Sequence, residues 1–510
     1  MTSTPSGSSE NTKSILTLAK GASISLVGRS ASRLLMLLGQ AILARTLGPQ
    51  HYGLFSLGWS MLQISGDTGQ VGLPQGIIHL GAKYWKNQES RFQSVLQQAF
   101  SVAIIISLVA STLVFMFSAD IASFFGKPDL KLVVQGISIA LAFFILLKVF
   151  AAATRISQRV QFSIFVEDMI PALILALGAL IFVYYLRWNL VGGMLSVCLA
   201  YGTGTVLALI FVAKLYPGIF KLVRGESFLR EILKFSLPAT LAGIFGTLIR
   251  WITRLFLGYL RPEADVGLFQ AASQLAALSA IILAATNTIF TPMISRLFSR
   301  GETEKLNELY KISTKWAVYL SLPLVAVLFI FSQDAMILFG GPAYQQGSWI
   351  LAILIIGQLV NTASGAVAPL HLMLGYQSRW MWTNGVALFI SFFMNWGFIT
   401  LWGLPGAALA SACSIAIINL AGLIQIKNLT GLWPYDRRYW KGALALVIAI
   451  GVTSQLLFWR IEIVWIKLAV AVLVSVIVFS VSIFAFGLDQ EDQDFLNALR
   501  SRLLRSGGRG

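Results

Sequence analysis

Apolar stretches of 18 residues or more follow one another along nearly the whole chain, parted by short polar or basic loops. In a bilayer the backbone of such stretches must satisfy its own hydrogen bonds, so each long run reads as a membrane-spanning helix. The pattern predicts spans near 17–44, 52–78, 95–117, 131–153, 163–186 and 189–213. A second set follows near 233–258, 266–293, 316–332, 347–371, 380–401 and 404–427, then two more near 442–459 and 464–486. The expected fold is therefore an all-α polytopic membrane protein with about fourteen transmembrane helices. No polar region is long enough to fold as a separate soluble domain.

The punctuation between spans repeats. Asp120, Phe125, Gly126 and Pro128 recur as Asp334, Phe339, Gly340 and Pro342, and Leu190 and Gly192 recur as Leu404 and Gly406. Pro49 and Gly53-Leu54-Phe55 reappear as Pro262 and Gly267-Leu268-Phe269, with one residue inserted. A shared offset of about 214 residues across separate places implies one six-helix module used twice. An even number of crossings makes the copies parallel repeats, an arrangement common in transporters that rock about a midplane site. The expected layout is a disordered cytoplasmic tail at 1–16, a first lobe at 17–214 and a linker at 215–232. A second lobe at 233–427, two extra helices within 442–486 and a cytoplasmic tail at 487–510 complete it. Within that tail, Asp492–Leu504 has the composition of an interfacial helix or of a solvated tail.

Composition supports this picture: 57% of the 510 residues are hydrophobic and 12% are charged, with a mean hydropathy of +0.77. The net charge of +17 suggests nucleic acid at first sight. Loop charge explains it better. With the N-terminus inside, inner loops and tails hold about 26 basic residues and outer loops about 7, so both termini are expected in the cytoplasm. The inner set includes Lys83, Arg155, Arg159, Lys221, Arg230, Arg296, Lys315 and Arg438. Cys198 and Cys413 fall in apolar runs and the three histidines are scattered, which leaves no metal or disulfide framework. No nucleotide loop or nucleophile elbow is present, so the chain reads as a non-enzyme without a cofactor.

Candidate chemistry concentrates on the opening helices of the two modules. Arg29 and Arg33 lie in the first span and Arg250 and Arg254 in the seventh, each pair spaced i, i+4 on one helix face. An intramembrane arginine costs at least ~2.5–3.5 kcal/mol on insertion scales, so it faces a watery cavity or a partner. Guanidinium binds phosphate oxygens bidentately, and four such groups suit an anionic headgroup, a diphosphate above all. Snorkelling, or pairing with a carboxylate, is the competing reading. A polar stripe runs along the second span at Ser56, Ser60, Gln63, Asp67 and Gln70, and its counterpart carries Gln270, Ser273 and Gln274. These side chains either line a cavity or tie helices together. Asp67 is the one acid deep in a span. It either pairs with Arg29 or Arg33, the expected arrangement, or exchanges H⁺ or binds Na⁺ as a coupling site. Glu167, Asp168 and Lys148 read as interfacial charges.

The run Ala44-Arg45-Thr46-Leu47-Gly48-Pro49-Gln50-His51-Tyr52-Gly53-Leu54-Phe55 resembles the polysaccharide-transporter family. That family includes O-antigen-type flippases within the superfamily shared with MATE drug exporters. The resemblance implies two lobes around a cationic cavity in a bacterial cytoplasmic membrane. It implies as substrate an undecaprenyl-diphosphate-linked oligosaccharide, with membrane lipids, a glycan polymerase and chain-length proteins as partners. The competing functions are a cation-coupled drug or metabolite exporter and a non-transporting scaffold of a glycan assembly complex. Four arginines against one deep aspartate favour anionic cargo.

Overall fold

The computed structural model describes residues 6–85, 88–157, 160–219, 228–459, 462–493 and 497. Helices and turns account for them, with no strand among the described residues. The first helices are α1 (Ser6–Gly69), α2 (Leu73–Tyr84), α3 (Glu89–Met116), α4 (Ser118–Phe124), α5 (Leu130–Ile156) and α6 (Val160–Ile164). A π-helical turn at Phe165–Met169 leads into α7 (Ile170–Gly178), and a second at Ala179–Tyr185 precedes α8 (Asn189–Leu215). Then come α9 (Leu229–Leu260), α10 (Glu263–Ala276), α11 (Ile281–Ser299), α12 (Thr303–Ile330) and α13 (Ser332–Gly340). The chain ends with α14 (Ser348–Ser364), α15 (Val367–Met373), α16 (Gln377–Trp402), α17 (Leu404–Thr430), α18 (Tyr439–Ser454) and α19 (Val464–Ala485).

Among the described residues, eleven helical segments are long and apolar enough to cross a membrane. They coincide with spans three to six and eight to fourteen of the sequence reading, and they make this a multi-pass membrane protein. The other three expected spans fall on α1, α2 and α9, outside the eleven. α1 and α9 carry the arginine pairs, and α1 also carries the polar stripe. α1 begins at Ser6, inside the stretch read from the sequence as a tail, and the expected helix at 492–504 lies almost wholly outside the described residues.

Two boundaries differ from the sequence pattern for clear reasons. α1 kinks at Gly48 (φ 69°), just before Pro49, so the first two spans form one bent helix. The second span ends at Gly69 rather than near 78. Val71 and Gly72 adopt positive φ, and Pro74 opens α2.

The chain divides into two compact units. The first comprises residues 1–274, 339–344 and 377–414. Small residues set its packing distances: a Cβ on Gly39 would lie 3.1 Å from the backbone of Ala176, and one on Gly66 would lie 2.4 Å from the Phe144 ring. The repeated motifs meet here. A Cβ on Gly53 would fall 1.9 Å from the carbonyl oxygen of Glu263, and one on Gly267 would fall 2.1 Å from that of Pro49. Each copy of the motif thus presses a glycine onto the other's backbone. Lys127, in the first copy of the Asp-Phe-Gly-Pro loop, donates to the carbonyl of Arg261 (3.0 Å) and pairs with Glu263 (3.3 Å). Tyr344, beside the second copy, donates to the carbonyl of Ala44 at 3.1 Å. Gly192 and Gly406 also match in place: a Cβ on Gly192 would press on the Phe182 carbonyl at 3.0 Å, and one on Gly406 would collide with the Phe398 carbonyl oxygen at 1.8 Å. The left-handed turn falls at Gly126 in the first copy but at Gly341 in the second, one residue later than the sequence match.

The second unit comprises residues 275–338, 345–376 and 415–510. Its core forms where α18 and α19 pack on α12 through Val318, Leu322, Ala445, Ala449 and Phe479. Tyr310 is buried, stacks on Phe290 and donates to the carbonyl of Ser364 at 2.7 Å. The buried His371 is held by Val367 O and Gln425. Lys315, 1% exposed, donates to Asp489, Glu491 and Asp492, three of the acids that follow α19, at 2.9–3.1 Å. Trp316, Arg438 and Lys441 bind the same acids.

Candidate functional site

The i, i+4 spacing of Arg29 and Arg33 places both on one face of α1; at the adjoining Gly28 a Cβ would meet Ile164 at 3.1 Å. The π turn that follows, ahead of Pro171, presents two acids with different partners. Asp168 forms an ion pair with Arg29 at 3.8 Å, with both side chains well exposed. Glu167 is buried, accepts from Arg155 and lies 3.9 Å from Lys148. Lys148 therefore ends on a carboxylate. Arg33 is exposed and makes neither a hydrogen bond nor an ion pair among the described residues. Arg159 lies outside them.

Asp67 does not pair directly with an arginine. Its Oδ2 accepts from Thr247 of α9 at 2.6 Å, and its Oδ1 accepts from Gln70 at 3.3 Å. Thr247 Oγ1 in turn accepts from Arg250 Nη2 at 2.7 Å. This three-residue chain links the end of α1 to α9. It arises because Thr247 and Arg250, three residues apart, share a helix face. The guanidinium of Arg250 stays exposed.

Arg254, one turn further on, has the opposite environment. It is 9% exposed, donates through Nε to Gln270 and through Nη1 to the carbonyl of Arg250, and lies over the rings of Trp251 and Phe269. Gln270 is itself buried. Nearby Tyr52 donates to Gln40 at 2.9 Å and stacks on Phe55. The remaining polar positions divide in the same way. Ser56 and Ser60 are buried, and Gln63 reaches Tyr201 at 3.3 Å, whereas Gln70 and Gln274 are partly exposed. Sequence reasoning missed Thr247, Tyr201 and Gln40. The one available signal was the position of Thr247 a turn before Arg250. Among the described residues no group of His, Cys, Asp and Glu can hold a metal ion.

Three of the four arginines, Arg29, Arg33 and Arg250, are thus exposed, the first in an ion pair with a carboxylate and the last reaching an acid only through a hydroxyl. A family model described as polysaccharide biosynthesis protein matches residues 42–346, well over half of the chain. The chain belongs to that family. The probable low-salt glycan biosynthesis flippase of Haloferax volcanii is 21% identical over 430 residues, covering 81% of this chain and 85% of that one. The succinoglycan biosynthesis transport protein of Rhizobium meliloti is 21% identical over 343 residues, covering 64% and 63%. In fold, the chain is similar to a lipid II flippase solved in an inward closed conformation. There the TM-score is 0.73 at 15% identity, covering 90% of this chain and 98% of the other.

Proposed function

We propose that this member of the family is a flippase that carries lipid-linked glycan units across the membrane by alternating access. The substrate class is an oligosaccharide on undecaprenyl diphosphate, moved from the cytoplasmic to the outer face of a bacterial cytoplasmic membrane for surface polysaccharide assembly. The observation that carries this reading is the surplus of cation at Arg29, Arg33 and Arg250. A drug exporter for cations has no use for three exposed guanidinium groups on its two polar helices, whereas a diphosphate takes one bidentate fork per phosphate. Names of relatives that flip or transport glycans agree with it. Fourteen helices in two six-helix lobes plus two, with both termini inside, are part of the same proposal. An H⁺ or Na⁺ gradient acting at Asp67 would supply the drive.

The test is genetic and chemical. Deleting the gene should trap lipid-linked oligosaccharide on the inner face, and wild-type protein should release it. Arg33→Ala, stably expressed, should release less than about a tenth as much, as befits loss of a charge-assisted contact. Unchanged lipid-linked oligosaccharide with new sensitivity to cationic drugs would instead establish an exporter that depends on Asp67.

A further inference from the structure

Thr247 occupies an unusual place in the cationic site. A threonine hydroxyl has one hydrogen to donate and lone pairs to accept with. Here the hydrogen goes to Asp67 and a lone pair takes Arg250, at 2.6 and 2.7 Å, with the side chain 3% exposed. One hydroxyl therefore stands between an acid and a guanidinium on adjacent helices, and no direct ion pair joins Asp67 to Arg250. Both carboxylate oxygens are already engaged, one by Thr247 and one by Gln70. The guanidinium gives a single N–H to Thr247 and no other hydrogen bond among the described residues.

The consequence concerns ligand choice. A carboxylate in direct contact with arginine takes two parallel N–H groups, the same fork that a phosphate needs. We propose that Thr247 is a positioning residue that determines specificity: its hydroxyl holds Asp67 away from the fork of Arg250 and so reserves that fork for the diphosphate oxygens of the substrate headgroup. This inference rests on the flippase reading above. Without the hydroxyl, Asp67 closes onto Arg250 and competes with the ligand. Asp67 then becomes the cause of weak binding, which no simple packing role for Thr247 would produce.

The experiment measures binding of farnesyl diphosphate, with farnesol as the uncharged control, to the full chain in lipid nanodiscs. Wild type should bind the diphosphate. Thr247→Val should bind it about tenfold more weakly, Thr247→Ser should bind within about twofold of wild type, and Thr247→Val with Asp67→Asn should recover most of the loss. Wild-type binding by Thr247→Val would overturn the inference. So would a Thr247→Val defect that Asp67→Asn leaves in place, or that Thr247→Ser shares. Arg250→Ala separates the two levels. If it abolishes binding while Thr247→Val does not, the role of Thr247 fails alone. If Arg250→Ala leaves binding intact, or wild type prefers farnesol, the headgroup reading itself fails.

Discussion

Two arginines one turn apart on α9 show how the same side chain takes opposite duties. Arg250 keeps its fork exposed, whereas Arg254 is enclosed by Trp251, Phe269 and Gln270. Arg254 is therefore assigned to packing rather than to ligand. Arg254→Ala should lower stability by about 2 kcal/mol or more, by removing ring contacts and stranding the buried Gln270 oxygen. Thermal melts in detergent should show that loss, while diphosphate binding by the folded fraction stays near wild type. The sequence made all four arginines conspicuous, because charge in an apolar run is expensive. It did not separate Arg250 from Arg254. That difference comes from Trp251 on the same helix and from Gln270 and Phe269 on the following one, whose approach depends on the α9–α10 turn. Nor did it pair Asp67 with Thr247, 180 residues away. One threonine in a helix carries no signal of its own.

At the scale of elements, the eleven segments that qualify as spans were legible because hydropathy over some twenty residues depends little on neighbours. Turn chemistry was harder to read. The end of the second span lies inside the stretch predicted as 52–78, where Gly72 and Pro74 decide the boundary through backbone geometry. The acids after α19 looked like solvated tail yet converge on Lys315. Burial works against the charged forms of Asp489 and Glu491. Hydrogen bonds from Lys441 and Lys315 with their charges together outweigh it at Asp489, and at Glu491 the Lys315 hydrogen bond does so together with a backbone hydrogen bond and the charges of Lys315 and Arg438, holding both carboxyls below their usual range. A depressed carboxyl pKa contributes stability that is present above the unfolded values, near ~4, and is lost as pH falls through the folded values. Docking of 488–493 should thus be constant from about pH 5 upward and release in acid below about pH 4. Hydrogen exchange of that segment is the measurement. Lys315→Met should release it even at neutral pH, since three carboxylates would then face one another.

At the scale of the molecule, the residues that recur at a common spacing in the sequence make matching contacts in the structure. Gly192 and Gly406 each sit against a phenylalanine carbonyl, closely enough at Gly406 that any side chain would strike it. What the sequence could not supply was the pairing of one copy with the other. The seam at Gly53 and Gly267 has the self-complementary form of a twofold homodimer interface: the first patch touches the second exactly where the second touches the first. Two such positions describe a single fault line. Gly53→Ala and Gly267→Ala should each wedge it open and lower the melting temperature, and the double variant should fall short of the sum, because a seam already parted has little left to lose. If the two halves descend from one six-helix unit, a single such glycine gave that unit the means to bind its own twin before the two were joined in one chain.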